Sequence, residues 1–95
     1  MEITNMKTFN DLEFKPHITM NGVMSRIMFE NGYGASVVRG EYTYGGDKGL
    51  YELAVLDSNG DLTYDTPITN DVLGHLSEDD VTEVLKEIQS LPNEQ

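Results

Sequence analysis

Carboxylates are the residues of this sequence whose number and spacing could do chemistry. Nine of the eleven in the second half of the chain lie at a predicted strand turn, in the segment after it and along a predicted C-terminal helix: Asp57, Asp61, Asp65, Asp71, Glu78, Asp79, Asp80, Glu83 and Glu87. Such a set could imitate the phosphate charges of DNA and occupy the basic groove of a nucleic-acid enzyme. The competing interpretation is a solvated acidic helix face together with turn residues that need Asp for local reasons.

A calcium loop is the first specific site to test against these residues. The segment 57–61 offers alternating side-chain oxygens from Asp57, Asn59 and Asp61. An EF-hand in this frame requires glycine at its sixth position and glutamate at its twelfth, and this chain has Leu62 and Ile68 there. The segment is therefore predicted to be a hairpin turn.

Catalytic and metal-binding groups are sparse. The two histidines, His17 and His75, lie 58 positions apart in the sequence, and no cysteine or regular carboxylate spacing accompanies them. None of the five serines of residues 6–95 has the context of a nucleophile elbow. We therefore expect no enzyme activity, no bound metal and no cofactor.

A glycine-rich segment, 40–49, could suggest a phosphate-cradling loop. Such loops need a helix directly after the glycines, whereas this segment leads into a predicted strand, and Lys48 is followed by Gly49 instead of Ser or Thr. We expect a long flexible hairpin loop. Its candidate contact residues for a partner are Tyr42, Tyr44 and Lys48.

Charge is the most informative feature of the composition. The chain of 95 residues has a formal net charge of −11. Residues 1–48 contribute −1 and residues 49–95 contribute −10, because the second half holds eleven acidic residues and one base. Such a surface repels nucleic acid and anionic lipid and attracts basic partners. Acidity that only keeps a small protein soluble is the alternative.

Length and hydropathy limit the class of protein. Ninety-five residues with 38% hydrophobic side chains are enough for one domain and too few for two. The sequence has no cysteine, no apolar run long enough to cross a bilayer and no secretory signal pattern. We expect a cytoplasmic protein with no membrane contact, a flexible extension over residues 1–8 and one domain over 9–92.

Apolar alternation predicts a sheet. Strands are expected at 23–30, 33–39, 50–57 and 61–65, with a further edge segment around Pro16. Asn-Gly pairs at 31–32 and 59–60 predict type I′ hairpin turns, so the strands should form an antiparallel meander. Residues 68–76 should then form a connector with one helical turn near 71–73.

One amphipathic helix should close the chain. Ser77 is its predicted N-cap, Asp80 stands at the capping-box position, and Pro92 ends it. A single apolar stripe would pack on the sheet: Val81, Val84, Leu85, Ile88 and Leu91. The predicted fold class is α+β, an antiparallel meander of about four strands with one C-terminal helix packed on it.

Four sequence phrases carry a resemblance to a known family. They are DLEFKPH at 11–17, FENGYGASVVR at 29–39, LYELAVL at 50–56 and YDTPITNDV at 64–72. In this order they resemble a family of small uncharacterised proteins of tailed bacteriophages, over nearly the whole of residues 6–91. No catalytic residue follows from the resemblance.

What the resemblance implies is a setting. It implies a phage-encoded protein in the bacterial host cytoplasm that binds a bacterial or phage protein stoichiometrically. With the acidity, the sharpest form of this hypothesis is an inhibitor of a host defence or nucleic-acid-processing protein that acts as a DNA mimic. A small-ligand, nucleotide-sequestering role and a minor virion role stay open as alternatives, and the sequence does not fix the oligomeric state.

Overall fold

A sheet and a helix account for most of the chain in this computed structural model, which describes residues 6–69 and 71–93. The strands lie side by side in chain order, each antiparallel to the next: β1 (Lys15–Pro16), β2 (Gly22–Met28), β3 (Gly34–Gly40), β4 (Tyr51–Leu56) and β5 (Leu73–Leu76). Helix α1 (Glu78–Gln89) follows β5. The predicted α+β fold is confirmed, with five strands where about four were expected.

Helix α1 packs on one face of the sheet and forms the core with it. Its stripe residues Val81, Leu85 and Ile88 are fully buried, as predicted. They meet the alternate residues of β3 and β4 that point to the same side: Ala35, Val37, Tyr51, Leu53 and Val55. The apolar residues that recur every two positions along the strands and about every 3.6 positions along the helix therefore meet in one buried layer.

The start of α1 is capped as the sequence predicted. The Ser77 hydroxyl accepts a hydrogen bond from the Asp80 backbone N–H at 3.1 Å, and the Asp80 carboxylate accepts one from the Ser77 N–H at 3.1 Å. Both bonds satisfy N–H groups that have no partner inside the helix. The helix ends at Gln89, three residues before Pro92.

The chain reverses at both Asn-Gly pairs, but the predicted turn type is wrong. Gly32 donates its N–H to the Phe29 carbonyl at 3.1 Å, and Phe29 donates to the Tyr33 carbonyl at 2.8 Å. Gly32 is at φ 93°, whereas Asn31 is not at positive φ. This is the pattern of a type I turn followed by a G1 bulge, and residues 57–61 repeat it.

The fourth predicted strand is the main difference from the expectation. Of segment 61–65 only Leu62 bridges β4, opposite Leu56. The chain then leaves the sheet and returns as β5, where a connector with a helical turn was predicted. Strand β5 contains a bulge with His75 at φ 58°. The bulge breaks the apolar alternation by which a strand is recognised in sequence.

Part of the predicted N-terminal extension, residues 1–8, makes hydrogen bonds with α1. Residues 1–5 lie outside the described residues, but Lys7 exchanges two backbone-to-side-chain hydrogen bonds with Gln89 of α1, at 2.8 and 2.9 Å. Phe9 then begins a short 3₁₀ turn, Phe9–Asp11, and its ring lies 5.1 Å from that of Tyr51. The segment from Lys7 onward is therefore part of the domain.

Asn31 joins the first hairpin turn to the end of α1. Its side-chain amide donates to the carbonyls of Ile88 at 2.8 Å and Leu91 at 3.1 Å, and its oxygen accepts from the Tyr33 N–H at 3.1 Å. The last carbonyls of a helix lack partners inside it, so this one side chain caps the helix and fixes the turn.

We predict that Ile88→Asp unfolds or severely destabilises the domain. The change places a carboxylate in the fully buried stripe of α1, at a cost of several kcal/mol, about 3–5, against a typical total stability of about 5–15. Chemical denaturation followed by circular dichroism measures it. The neighbouring exposed change Glu87→Asp should leave the curve nearly unchanged, and an unaltered Ile88→Asp midpoint would contradict the packing of α1 on the sheet.

We also predict that Asn31→Ala lowers the free energy of unfolding by about 1–3 kcal/mol, because the carbonyls of Ile88, in α1, and of Leu91, just after it, both lose the Asn31 amide donor. Asn31→Asp should cost at least as much, since it places a carboxylate oxygen against those carbonyls. Asn59→Ala, at the matching position of the second turn, should change stability by less than about 0.5 kcal/mol. Equal effects at Asn31 and Asn59 would show that the turn, and not the helix cap, is what matters.

Candidate functional site

The outward side of α1 carries the densest group of exposed carboxylates. The apolar stripe faces the sheet, so the positions between stripe residues point to solvent. Five acidic residues of α1 are exposed, and the four other than the capping residue Asp80, here called the helix acids, are Glu78, Asp79, Glu83 and Glu87. Asp79, Glu83 and Glu87 follow one another at four-residue intervals, which is about 6 Å along the helix axis per step.

Three of the nine candidate carboxylates have local structural tasks. Asp57 accepts hydrogen bonds from the backbone N–H groups of Asn59 at 2.9 Å and Asp61 at 3.1 Å. Asp71 accepts one from Val72 at 2.8 Å, and Asp80 holds the helix cap. Local need for Asp, the competing interpretation of the acidity, therefore accounts for Asp57, Asp71 and Asp80.

The hairpin interpretation of segment 57–61 is supported by the same bonds. Asp57 directs one carboxylate oxygen to two backbone N–H groups of its own turn, which is an Asx-type turn and not a set of oxygens around a cation. Among the described residues no group of three or more His, Cys, Asp or Glu side chains is arranged to hold a metal ion.

The two remaining candidates, Asp61 and Asp65, are exposed and belong to the segment between β4 and β5. Asp61 and Asp65 are therefore on a different element from the helix acids, although the sequence presents all of these carboxylates as one acidic stretch. The nine carboxylates thus divide into three local groups by role: helix acids, turn or cap residues, and exposed residues of the β4–β5 connection.

The glycine-rich loop, which the sequence predicts to be a long hairpin loop, contains several hydrogen bonds. The Thr43 hydroxyl bonds both the N–H and the carbonyl of Gly40, at 2.9 and 3.0 Å. Gly46 donates to the Thr43 carbonyl, and Gly46–Lys48 forms a 3₁₀ turn. The loop therefore has a defined shape over its whole length.

This defined loop presents two tyrosines. Tyr42 and Tyr44 are 81% and 62% exposed, and Lys48 is exposed beside them in the chain. Tyr44 is fixed through its backbone, since its N–H donates to the Glu52 carboxylate at 3.0 Å and its carbonyl accepts from His75 at 3.0 Å. Tyrosines held this way lose little further freedom on binding, so the loop suits a contact surface.

The histidines lie at opposite edges of the sheet. His17 directly follows β1, and His75 lies in β5. Four strand spacings of about 4.8 Å place these edges roughly 19 Å apart. His17 accepts a hydrogen bond from the Thr19 N–H through Nδ1, within its own turn. The fold does not bring the two imidazoles together into one site.

The sheet face opposite α1 is the feature that sequence reasoning missed. The register places Met24, Met28 and Val38 on this face, with Lys15 and Glu52 at its sides. On the same face Ala54 and Leu56 are 7% and 0% exposed, so this face is covered over the second half of β4. Apolar residues on both sides of β2 were visible in the sequence, but which side the single helix would cover was not.

Comparisons with known proteins assign no family to this chain. No family model matches the chain, and neither the search of curated proteins nor that of solved structures gives a match. The resemblance to phage proteins stays a prediction. In the described part of the chain, no helix combines the length and apolar character that crossing a membrane requires.

We predict that Asp80→Ala destabilises the domain by about 0.5–1.5 kcal/mol more than Asp79→Ala. Both residues lie in the first turn and interact alike with the helix dipole, but only Asp80 bonds the Ser77 N–H. Thermal unfolding of the two variants measures the difference. Equal losses would remove the distinction drawn between a structural carboxylate and a free one.

Proposed function

We propose that this chain is a binding protein that associates stoichiometrically with a protein bearing a basic surface, through the helix acids of α1. The observation that carries the proposal is the spacing of Asp79, Glu83 and Glu87 on a rigid helix, exposed and free of the capping role that occupies Asp80. A preformed row of carboxylates costs little ordering on association and steers a cationic partner electrostatically.

The row favours a partner that ordinarily binds nucleic acid. Steps of about 6 Å along the helix are close to the rise of two nucleotides in one DNA strand, at about 3.4 Å each. Lys86 interrupts the negative surface at one point, and the helix is about 18 Å long for its 12 residues. The mimic would therefore cover a short stretch of a basic groove, of about five base pairs.

The setting belongs to the same proposal. The resemblance to bacteriophage proteins supports action in the cytoplasm of an infected bacterium, on a host defence or nucleic-acid-processing protein. The tyrosine loop supports stoichiometric binding independently of charge, because Tyr42 and Tyr44 offer exposed contact area and backbone hydrogen bonds hold Tyr44 in place. Under this proposal the molecule contacts neither nucleic acid nor membrane directly.

The test is a differential capture with paired baits. Wild-type protein, Glu83→Gln/Glu87→Gln and Asp61→Asn/Asp65→Asn are immobilised and exposed to lysate of phage-infected bacteria at low and high salt. Both variants raise the net charge by the same two units, so they differ only in where carboxylates are lost. We expect a basic, nucleic-acid-binding protein to be retained by wild type and by the Asp61/Asp65 variant at low salt, and to be lost with Glu83→Gln/Glu87→Gln.

The salt series separates mimicry from other contact. A partner held by carboxylates should elute as salt screens the attraction, and added duplex DNA should compete with the bait for it. A partner retained equally by all three baits would contradict the role of the helix acids. Capture that depends only on total charge, with equal loss in both variants, would reduce the acidity to a solubility feature.

A further inference from the structure

The two hairpin turns contain the same dipeptide, Asn-Gly, whose two residues can react with each other. The main-chain nitrogen of the glycine attacks the side-chain carbonyl carbon of the asparagine, a five-membered succinimide ring closes, and the amide nitrogen leaves as ammonia. Water then opens the ring at either of its two carbonyl carbons and leaves aspartate or isoaspartate. Glycine permits the closure because it has no Cβ to hinder its nitrogen.

Ring closure requires rotation about two bonds of the asparagine. Rotation about Cα–C brings the glycine nitrogen toward the side chain, and rotation about Cα–Cβ turns the carboxamide toward that nitrogen. Hydrogen bonds that hold either the peptide or the carboxamide oppose the reaction, because they have to break first. The hydrogen bonds at each Asn-Gly pair therefore rank the pairs by reactivity.

The glycine nitrogens of the two turns are held alike. Gly32 donates its N–H to the Phe29 carbonyl at 3.1 Å, and Gly60 donates to the Asp57 carbonyl at 2.9 Å. Both glycines are at positive φ, 93° and 81°. The attacking group therefore does not distinguish the two turns.

The asparagine carboxamides of the two turns are held differently. The Asn31 carboxamide donates to the carbonyls of Ile88 at 2.8 Å and Leu91 at 3.1 Å. Asn59 is exposed, and in the described part of the chain the hydrogen bond at this residue is made by its backbone N–H and not by its carboxamide. The Asn59 carboxamide can therefore rotate toward its glycine without breaking a bond to another element.

A third Asn-Gly pair, Asn21-Gly22, is held through its main chain. Gly22 is the first residue of β2 and pairs with Gly40, and the Asn21 carbonyl accepts a hydrogen bond from the Glu41 N–H at 3.2 Å. Rotation about the Asn21 Cα–C bond would break that hydrogen bond and displace the start of β2. This pair is therefore restrained at the peptide, as Asn31 is at the side chain.

From this comparison we infer that Asn59 is a modification site, at which the folded protein converts its own asparagine to aspartate and isoaspartate with water as the co-reactant. Asn21 and Asn31 are retained. Each conversion replaces a neutral amide by a carboxylate and so adds one negative charge to the net charge of −11. The inference is independent of the proposed function, because the helix acids take no part in the reaction.

The isoaspartate product changes the turn itself. Its main chain runs through the former side chain, so the backbone is longer by one CH₂ group between residues 59 and 60. The Asp57 carboxylate accepts the N–H groups of residues 59 and 61 at 2.9 and 3.1 Å, and the longer path disrupts this pair of bonds. We expect the Asp61 amide to exchange with solvent about tenfold faster in the isoaspartate form.

The experiment incubates the full chain at neutral pH and follows each asparagine by tryptic peptide mapping with mass spectrometry. Trypsin separates the two turns, since Asn31 falls in peptide 27–39 and Asn59 in peptide 49–86. Fragment spectra assign the change to a position within each peptide, and a zero-time sample sets the background from digestion. We expect Asn59 to be lost about tenfold faster than Asn31 or more, because two further hydrogen bonds have to break at Asn31.

The same chain in denaturant is the matched control. Unfolding releases all three asparagines, each followed by glycine, so Asn21, Asn31 and Asn59 should then react at rates within about threefold of one another. Asn59→Gln is the second control, because ring closure by the longer side chain is slow. This variant should lack the more acidic form that anion-exchange chromatography separates from the wild-type protein, and circular dichroism checks that it is folded.

Equal loss of Asn59 and of either other asparagine in the folded protein would overturn the inference, because the hydrogen bonds would then give no protection. Retention of Asn59 under conditions in which the denatured chain reacts would overturn it as well, by showing that the turn protects itself. Loss confined to Asn59 in the folded protein, with similar rates in denaturant, is the result that supports it. None of these outcomes depends on the capture of a basic partner by α1.

Discussion

The seating of α1 on strands β3 and β4 is the contact on which the rest of the molecule depends. Val81, Leu85 and Ile88 have no exposed surface, and they supply the helix half of the core cluster. Among the residues that the structure describes, one such core cluster is formed. Which sheet face the helix covers and which side of the helix is outward both follow from this one contact.

The elements that sequence predicted well are those with strict periodicity. The helix stripe and strands β2, β3 and β4 each repeat the spacing of apolar residues that burial on one side requires, and the cap at Ser77 precedes the helix stripe directly. Strand β5 was missed because the bulge at His75 removes the alternation of apolar and polar residues. Only the pairing of Leu73 and Leu76 with Leu53 and Tyr51 shows that the chain returns to the sheet. The hydrogen bond between Lys7 and Gln89 joins residues 82 positions apart, so no local sequence pattern predicts it.

The sequence was enough to identify the candidate carboxylates, but not to separate them by role. The sequence presents nine carboxylates as one acidic run, and only hydrogen bonds separate Asp57, Asp71 and Asp80, which hold backbone N–H groups, from the helix acids. Capping could be foreseen for Asp80 from its spacing to Ser77. The shape of the tyrosine loop could not be foreseen, because it depends on hydrogen bonds between Thr43 and Gly40 that no sequence pattern indicates.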